Sequence, residues 1–471
     1  MIGLLIFLLQ KTPRHYPLVA QPIPPPTEGR LGGGLDGFDS PYIGHTGSWD
    51  GKGGAWGGSK IAALDSERAM GLRWTFMPVY WRAMEPDGPV DLSHAIPAAW
   101  RELDAFVIAA HDRGLNILMQ APVVGGNAGG PPAWAGRRQA GHSAPANMEA
   151  AAAFAGKLAQ RYCPGGTLAR QQGWGDRFGV RAWELDNEPE VYLTNWKGQA
   201  GDYAEFVTKS AAAIRQADPA AVIVGPGIGG DGHGTPWVEE TLDSSRIAGS
   251  PSFRQAGQMY SIGKVLDVVS FHCYEGLETA FSRNDRTLTD DFSDIRAVFE
   301  KYERAVPGFE YERKQEYWHT EGNYDFIGVL SRTRRAAWRM QFLTRGFAAG
   351  IRKLAVMDAS APEQASVRAY VSVLPNPFPM LPATEELSAV SGQVAAFRHP
   401  DGPEPGSGRV WILWAVAGTG DATAAVPVIH QQAELISVSG EKEIRRALAG
   451  RIELNLKGDA KMAPPVLVVD R

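Results

Sequence analysis

The sequence is poor in cysteine, in clustered basic charge and in long hydrophobic runs. Only two cysteines, Cys163 and Cys273, occur in 471 residues, which excludes a disulfide framework. The net charge is −5 and no cluster of Lys and Arg stands out, so nucleic acid is not an expected partner. The apolar run Met1–Leu9 is too short to cross a bilayer, and we expect no membrane span.

The first thirty residues predict a leader followed by a proline-rich segment. Met1–Leu9 precedes Lys11, Arg14 and the prolines of 21–26. One interpretation is the remnant of a secretory signal cleaved near Ala20, although no basic residue precedes the apolar run. A mispredicted start or a frayed leader is the alternative. On the first interpretation we expect a secreted or periplasmic protein.

Residues 31–360 alternate between short strand-like runs and segments with apolar residues at helical spacing. The chain is 44% hydrophobic and 21% charged, which is typical of a globular protein with a large core. Eight strands alternating with helices predict an α/β fold, a (β/α)₈ TIM barrel. The predicted strands are Gly34–Phe38, Arg73–Val79, Asn116–Ala121, Arg181–Leu185, Ala221–Gly225, Asp267–His272, Glu316–Thr320 and Lys353–Met357.

A doubly wound open sheet is the alternative fold. Such a sheet would carry a Gly-x-Gly-x-x-Gly turn after its first strand. That pattern occurs at Gly225–Gly230, after the fifth predicted strand, and continues into 231–234 without opening a helix. We interpret it as a loop, and the barrel is favoured.

Residues 361–471 have the pattern of an all-β sandwich domain. Short alternating or continuously apolar runs are separated by Gly, Pro and Asp. Because little linker separates them from the last barrel helix, we expect a structural companion of the barrel rather than an independent binding module. The predicted strands are Gly408–Ala417, Ala424–Ile429, Ala433–Val438, Arg451–Leu456 and Pro465–Asp470.

The segment 181–190, RAWELDNEPE, carries the strongest chemical signal. Asn187 and Glu188 arrive where the fourth strand must end, because Pro189 cannot donate a ladder hydrogen bond. A turn would also use Asn and Pro. A carboxyl group beside a carboxamide at a strand end suits sugar chemistry, in which one protonates a leaving oxygen and the other holds a hydroxyl.

A second carboxylate, Glu321, closes the seventh strand. In a barrel the carboxyl ends of the strands surround one mouth, where catalysis takes place. Two carboxyl groups there, roughly 5–5.5 Å apart, support retention of configuration, and roughly 6.5–9.5 Å supports inversion. A solvated loop acid is the alternative for Glu321 alone. The nearby Glu184 and Asp186 are competing acids or supporting groups on the face of Glu188.

Further candidates follow the sixth and second strands. His272 and Tyr274 share one face, where Tyr274 can orient the nucleophile and His272 can hold a sugar hydroxyl. Trp81 can stack on a sugar and Arg82 can support a carboxylate, although both residue types are more often packing or surface residues. Other cleft candidates, including a histidine on the seventh strand, are Asp36, Trp49, Trp56, Trp134, Trp196 and His319.

Asn187-Glu188 ending strand four and Glu321 ending strand seven resemble the clan A glycoside hydrolases, the 4/7 superfamily. Local segments around 185–189, 266–274 and 320–324 are similar to glycoside hydrolase family 44. The resemblance implies that Glu188 is the acid/base, Glu321 the nucleophile and Asn187 a contact of a sugar hydroxyl. Many clan members carry Trp at the end of strand eight, whereas this chain reads Val-Met-Asp at 356–358.

The sequence therefore predicts a retaining glycoside hydrolase that cleaves β-linked oligo- or polysaccharides without a cofactor or metal. The alternative is a non-catalytic carbohydrate-binding protein on a hydrolase-like barrel. A metal hydrolase is disfavoured because the chain has no His-x-His on an early strand and no His-Glu-x-x-His. A serine or cysteine nucleophile is disfavoured because no Gly-x-Ser-x-Gly occurs and Cys273 would point away from His272. The sugar and the oligomeric state are left open.

Overall fold

Eight parallel strands close into a barrel, which confirms the predicted fold class. In the computed structural model, β1 pairs in parallel with both β2 and β8. The strands are β1 Tyr42–His45, β2 Trp74–Tyr80, β3 Asn116–Val123, β4 Ala182–Glu184, β5 Val222–Gly229, β6 Val268–His272, β7 Glu316–Glu321 and β8 Lys353–Met357. The structure describes residues 35–45, 58–125, 129–189, 196, 200–229, 265–275, 287–305, 316–323, 330–357, 359–400 and 408–470.

Helices surround the barrel, and several have clear start and stop signals. The Asn147 side chain accepts a hydrogen bond from the backbone N–H of Ala150, and Ser360 with Glu363 forms a capping box. Gly350, with φ of 99°, ends another helix in the left-handed conformation. The described helices are Gly58–Ala69, Trp81–Met84, Ala98–Asp112, Met148–Tyr162, Thr167–Gln171, Ala200–Ala217, Leu288–Ala305, Arg332–Ala349 and Ala361–Val373.

Large side chains and one lysine fill the amino-terminal end of the barrel. Trp74 and Trp318 pack edge to face with ring centroids 5.7 Å apart. The Lys353 ammonium lies 4.7 Å from the Trp74 ring and donates to the carbonyls of Phe38 and Ser40. Burial lowers the pKa of Lys353 to about 7. This packing leaves the carboxyl-terminal end of the barrel as the place for chemistry.

The first strand lies later in the chain than its pattern predicts. Residues 35–39 form a turn, in which Phe38 N–H donates to the Leu35 carbonyl and Gly37 has φ of 70°. Leu35 and Phe38 belong to the apolar cluster inside the barrel, which is why they resemble strand residues. The prediction of a strand at 34–38 was wrong, and β1 at Tyr42–His45 takes its place.

The glycine-rich pattern after the fifth strand is mostly strand rather than loop. β5 continues through Gly229 and pairs with β6, with a register shift between Pro226 and Ile228. Gly227 has φ of 61° at this irregularity, a conformation that glycine adopts readily. The loop interpretation therefore fails for 225–229, while 230–234 lies outside the described residues.

The carboxy-terminal strands form two antiparallel sheets, as the sandwich prediction requires. One has the order β10-β13-β16 and the other β15-β14-β17-β12-β11-β9. The segment predicted as all-β starts with the helix Ala361–Val373, in which Ser366 donates to the Ala336 carbonyl of the helix Arg332–Ala349, and the described sandwich strands begin at Leu381. The strands are β9 Leu381–Pro382, β10 Ser388–Ser391, β11 Val394–His399, β12 Val410–Ala415, β13 Ala422–Pro427, β14 Gln432–Ile436, β15 Lys442–Arg446, β16 Arg451–Leu456 and β17 Val466–Asp470.

The larger sheet packs on both of its faces. On β12, Trp411 and Leu413 face the sandwich core, while Ile412 and Trp414 join the core cluster of the barrel. A strand covered on both faces reads as a continuous apolar run, as β12 does. Arg334 on a barrel helix also pairs with Asp459 at 2.9 Å. Among the described helices, none has the length and apolar character needed to cross a membrane.

Candidate active site

Glu188 and Glu321 both lie at the carboxyl-terminal mouth of the barrel. Glu321 ends β7, and Glu188 follows β4 after a backbone irregularity in which Asp186 and Glu188 have φ of 65° and 42°. The Glu188 backbone N–H donates to the Gly227 carbonyl at 3.1 Å. Each carboxylate has 18% of its side chain exposed. Left-handed backbone at non-glycine residues costs free energy and is frequent at functional sites.

Asp186 holds this strained segment in place. Its Oδ1 accepts hydrogen bonds from the backbone N–H groups of Val124 and Gly125, each at 3.0 Å. Burial raises the pKa of Asp186 to about 7, against the effect of these backbone hydrogen bonds. Asp186 therefore connects the end of β3 to the segment that carries Asn187 and Glu188.

His272 lies between the two carboxylates. Its Nδ1 is 2.8 Å from Glu188 Oε1 and 3.8 Å from Glu321 Oε2, and its side chain is fully buried. Burial alone lowers the pKa of His272. The charge of Glu321, the hydrogen bond and charge of Glu188 and the charge of Glu184 together outweigh burial and raise this pKa to about 9. At neutral pH the imidazole is thus a cation that donates to Glu188.

Glu321 has contacts from the ends of two further strands, β6 and β1. The Tyr274 hydroxyl donates to its Oε1 and also lies 3.7 Å from the Met357 sulfur. His45, at the end of β1, places Nε2 4.0 Å from Glu321 Oε2 and stacks on Phe76 with ring centroids 4.6 Å apart. One carboxylate oxygen is thereby oriented by Tyr274, while the other faces the two histidines.

The side-chain amide of Asn187 is oriented by a hydrogen bond from Gln120 on β3. Gln120 Nε2 donates to Asn187 Oδ1 at 3.0 Å and to Glu184 Oε2 at 3.1 Å. Because Oδ1 is the acceptor in this contact, the Nδ2 hydrogens of Asn187 are the part of the amide left to bind a sugar hydroxyl.

The two carboxylates are close. One oxygen of Glu188, one oxygen of Glu321 and one nitrogen of His272 all lie within 4.8 Å of one another. These three groups also have the donor types that hold a divalent cation. Within the described part of the chain, this cluster contains the pair of carboxylates that the sequence predicts at the mouth.

Several predicted site residues lie elsewhere. Asp36 is exposed, and it pairs with Arg73 at 2.8 Å at the amino-terminal end of β2, opposite the mouth. Trp81 is fully buried, stacks on Phe154 and donates to Glu85. The placement of Asp36 and Trp81 in the sugar site was therefore wrong, because the first belongs to the turn before β1 and the second is a core residue.

The remaining predicted cleft residues are Arg82, Trp134, Trp196, Trp49 and Trp56. Arg82 is exposed and donates to the Gly129 carbonyl, and Trp134 donates to the Glu85 carbonyl and packs against Trp81. Neither has a described contact with the carboxylates. Trp196 is buried against Tyr203 and Phe206. Trp49, Trp56 and Asp358 lie outside the described residues.

His319 faces away from the site. It is packed against Phe271 and Phe342 on the helix side of β7, and burial lowers its pKa to about 3. Its neighbour Thr320 points inward instead, donating to Glu184 Oε1 at 2.8 Å. His319 is therefore a core residue rather than a cleft residue, and the register with β6 shifts between Phe271 and His272 beside it.

Sequence reasoning missed His45, Gln120 and Thr320 and left the role of Glu184 open. His45 is missed because the first strand is predicted at 34–38, so His45 falls well after the end of that predicted strand. Gln120 and Glu184 are polar residues within otherwise apolar strands, a signal that was present in the pattern. A polar side chain in a barrel strand requires a hydrogen-bonding partner inside the barrel.

The comparisons with known proteins show the fold. The chain is similar to a family 39 glycoside hydrolase from the gut symbiont Bacteroides cellulosilyticus, with 14% identity, a TM-score of 0.57, and coverage of 92% of this chain and 81% of that chain. A bifunctional glucanase-xylanase from a metagenome library has 14% identity and a TM-score of 0.54, covering 86% and 94%. A family 51 α-L-arabinofuranosidase from Bifidobacterium longum has 12% identity and a TM-score of 0.53, covering 92% and 95%.

No protein-family model and no curated protein matches the sequence. The resemblance to clan A glycoside hydrolases is confirmed at the level of the fold. The similarity to family 44 stays a prediction. The class defined by fold and site geometry is thus a (β/α)₈ barrel with a pair of carboxylates at its mouth, joined to a β-sandwich.

Proposed function

We propose that the chain is a retaining glycoside hydrolase in which Glu188 is the acid/base and Glu321 the nucleophile. The observation that carries the proposal is the approach of the two carboxylates, which together with His272 lie within 4.8 Å. Retaining enzymes place their carboxyl groups roughly 5–5.5 Å apart, whereas inverting enzymes need roughly 6.5–9.5 Å to admit a water molecule. The fold supports it as well, since the solved relatives of this barrel include glycoside hydrolases.

The first step breaks the glycosidic bond. Glu321 Oε2 attacks the anomeric carbon and forms an ester, while the proton in the contact between His272 and Glu188 passes through Glu188 to the departing oxygen. Tyr274 donates to the other oxygen of Glu321, which fixes the carboxylate plane. Asn187 Nδ2 holds a hydroxyl of the bound sugar.

The second step returns the enzyme to its starting state. Esterification removes the negative charge of Glu321, and that charge is one of the causes that raise the pKa of His272. The cluster gave its proton to the leaving group in the first step, and without the Glu321 charge it stays deprotonated. Glu188 can therefore accept a proton from water as the water attacks the anomeric carbon. The Glu321 ester is cleaved, the configuration is retained, and the proton returns to the contact between Glu188 and His272.

The substrate we propose is a β-linked oligo- or polysaccharide. One structural neighbour is named as a glucanase-xylanase and another as an α-L-arabinofuranosidase. The substrates to be tested therefore include β-glucan and xylan as well as an α-L-arabinofuranoside. Met357 stands at the end of β8, beside Tyr274, and offers a thioether rather than an aromatic face to the bound sugar.

The test is hydrolysis of aryl β-glycosides, an aryl α-L-arabinofuranoside, and β-glucan, xyloglucan, xylan and mannan oligosaccharides. Wild type is compared with Glu188→Gln and Glu321→Gln, with Glu67→Gln as a matched buried carboxylate outside the site. We expect turnover that collapses in both site variants and persists in Glu67→Gln. Tight glycan binding without turnover would instead favour the carbohydrate-binding alternative, and activity indifferent to both site changes would contradict the mechanism.

A further inference from the structure

The buried acid Glu184 lies inside the barrel beneath the catalytic carboxylates, and the two-carboxylate mechanism does not use it. It is the last residue of β4 and has no exposed surface. A fully buried carboxylate is costly unless hydrogen bonds and nearby charge compensate it. Its neighbours therefore indicate what it does.

Two hydrogen bonds connect Glu184 to the groups proposed to bind and attack the sugar. Gln120 Nε2 donates to Glu184 Oε2 at 3.1 Å and to Asn187 Oδ1 at 3.0 Å. Thr320 Oγ1 donates to Glu184 Oε1 at 2.8 Å, and Thr320 immediately precedes Glu321. One carboxyl group thus holds the orientation of Asn187 and the end of the strand that carries Glu321.

A further connection reaches the neighbouring strands. The Gly227 N–H donates to Ser270 Oγ at 2.9 Å, and the Ser270 hydroxyl is one of the groups that lower the pKa of Glu184. The Gly227 carbonyl in turn accepts from the Glu188 N–H.

His272 faces the same space as Glu184. A Cβ built on Gly227 would lie 3.3 Å from Glu184 Oε1 and 3.5 Å from His272 Nε2. His272 Nε2 is buried and has no hydrogen-bond partner among the described residues. A buried imidazolium N–H without a partner is costly unless a negative charge faces it. Burial raises the pKa of Glu184, whereas the charge of His272 and the hydrogen bond from Thr320 oppose that rise, so the Glu184 carboxylate and the His272 cation stabilise each other. Glycine at 227 leaves room for the two groups to face each other.

We propose that Glu184 is a positioning residue of the catalytic site. It holds Asn187 through Gln120 and Glu321 through Thr320, and its charge keeps His272 protonated with Nδ1–H directed at Glu188. The kinetic part of this inference rests on the proposed function, whereas the effect on His272 is measurable without any substrate.

The three carboxylates that face His272 come from two strands. Glu184 and Glu188 approach from β4 and its continuation, and Glu321 approaches from β7. His319, also on β7, has a pKa lowered by burial to about 3, so it is neutral in the pH range in which His272 titrates. Burial lowers the pKa of His272 and the three carboxylates raise it, so loss of the Glu184 charge lowers this pKa. The deprotonation that limits activity at high pH then occurs at lower pH.

The experiment compares Glu184→Gln with Glu67→Gln, a buried acid on the helix Gly58–Ala69 outside the site. We expect kcat of Glu184→Gln to fall about 10- to 100-fold, the scale of a small misplacement of reacting groups, with KM much less affected. The high-pH limb of the pH–activity profile of Glu184→Gln should move to lower pH, while Glu67→Gln should keep the wild-type pH–activity profile. A merely structural role would lower kcat without moving the limb, and that result would overturn the proposal.

A second measurement follows the imidazole directly. The chain has 10 histidines, so ¹⁵N-histidine spectra are assigned by comparison with His272→Gln. We expect the titration midpoint of His272 to be lower in Glu184→Gln than in wild type, and an unchanged midpoint would overturn the proposal. Should Glu184→Gln fail to fold, Glu184→Ala removes the same charge without placing an amide in the barrel and should lower the midpoint in the same way. A shifted midpoint in a protein that hydrolyses no glycan would refute the proposed function and leave this inference standing.

Discussion

His272 Nδ1 lies 2.8 Å from Glu188 Oε1, which joins residues 84 positions apart in the chain. The contact gives Glu188, the acid/base of the proposed mechanism, a partner that carries a proton of its own. A proton between these two atoms can lie on either of them, and both arrangements have the same charge. His272 and Glu188 together therefore hold a proton for transfer, and Glu188 does not have to stay protonated on its own.

The first prediction concerns stability and pH. The pKa of His272 in the folded protein, about 9, lies above its ordinary value of 6.5. The corresponding stabilisation is fully present below pH 6.5 and is lost as the pH rises through about 9, and its size is on the order of 3 kcal/mol. We expect the free energy of unfolding to decline between these pH values in wild type and to decline less in His272→Gln. Parallel declines in both proteins would contradict the assignment. Urea unfolding at several pH values measures this difference.

The second prediction concerns Tyr274→Phe, which removes the hydroxyl that donates to Glu321. Hydrogen bonds to charged groups contribute about 1.5–3 kcal/mol, so we expect kcat/KM to fall about 10- to 100-fold. Tyr370→Phe is the matched control, since its hydroxyl accepts from Thr344 outside the site. Steady-state kinetics on the best aryl glycoside measures both variants. Equal activity of Tyr274→Phe and wild type would show that Tyr274 does not orient the nucleophile.

The third prediction separates the shape of Asp186 from its charge. Asn at this position can accept the same two backbone N–H groups and tolerates φ of 65°, whereas Ala cannot accept them. We expect Asp186→Ala to lose about 2–4 kcal/mol of unfolding free energy and much of its activity. Asp186→Asn should stay close to wild type. Thermal and urea unfolding measure the difference, and similar losses in the two variants would contradict the capping role.

The fourth prediction follows from the position of Asp36 at the closed end of the barrel. Its ion pair with Arg73 is exposed on the Asp36 side, and exposed pairs contribute about 0–1 kcal/mol. We expect Asp36→Asn to retain wild-type kcat and KM. A selective loss of activity would indicate that this end of the barrel takes part in function.

The fifth prediction concerns metal. Glu188, His272 and Glu321 are close enough to hold a cation, but their arrangement as a hydrogen-bonded cluster needs none for double displacement. We expect activity to be unchanged after extended treatment with EDTA and after addition of zinc or calcium. Loss on chelation with recovery on adding a metal would replace the two-carboxylate mechanism with a metal-assisted one.

The repeating pattern of strands and helices predicts the barrel from the sequence, because strands covered on both sides are almost continuously apolar. Seven of the eight predicted barrel strands overlap the observed ones, and Lys353–Met357 has the same bounds. The first strand fails because Leu35 and Phe38, which fill the barrel, resemble strand residues. The helix at 361–373 lies inside the segment predicted as all-β. A local sequence pattern failed here too, since it does not show what an element packs against.

The sequence by itself determined which residues end strands four, six and seven, and so brought Glu188, Asn187, His272, Tyr274 and Glu321 to one mouth. That follows from topology, because the carboxyl ends of parallel strands in a closed barrel all face the same side. The tertiary structure alone decided side-chain direction and distance. The left-handed backbone at Asp186 and Glu188 and the register shift at β7 break simple alternation, and long-range packing buried Trp81 while it turned Glu184 towards His272. Such choices depend on contacts between distant segments, which no local pattern contains.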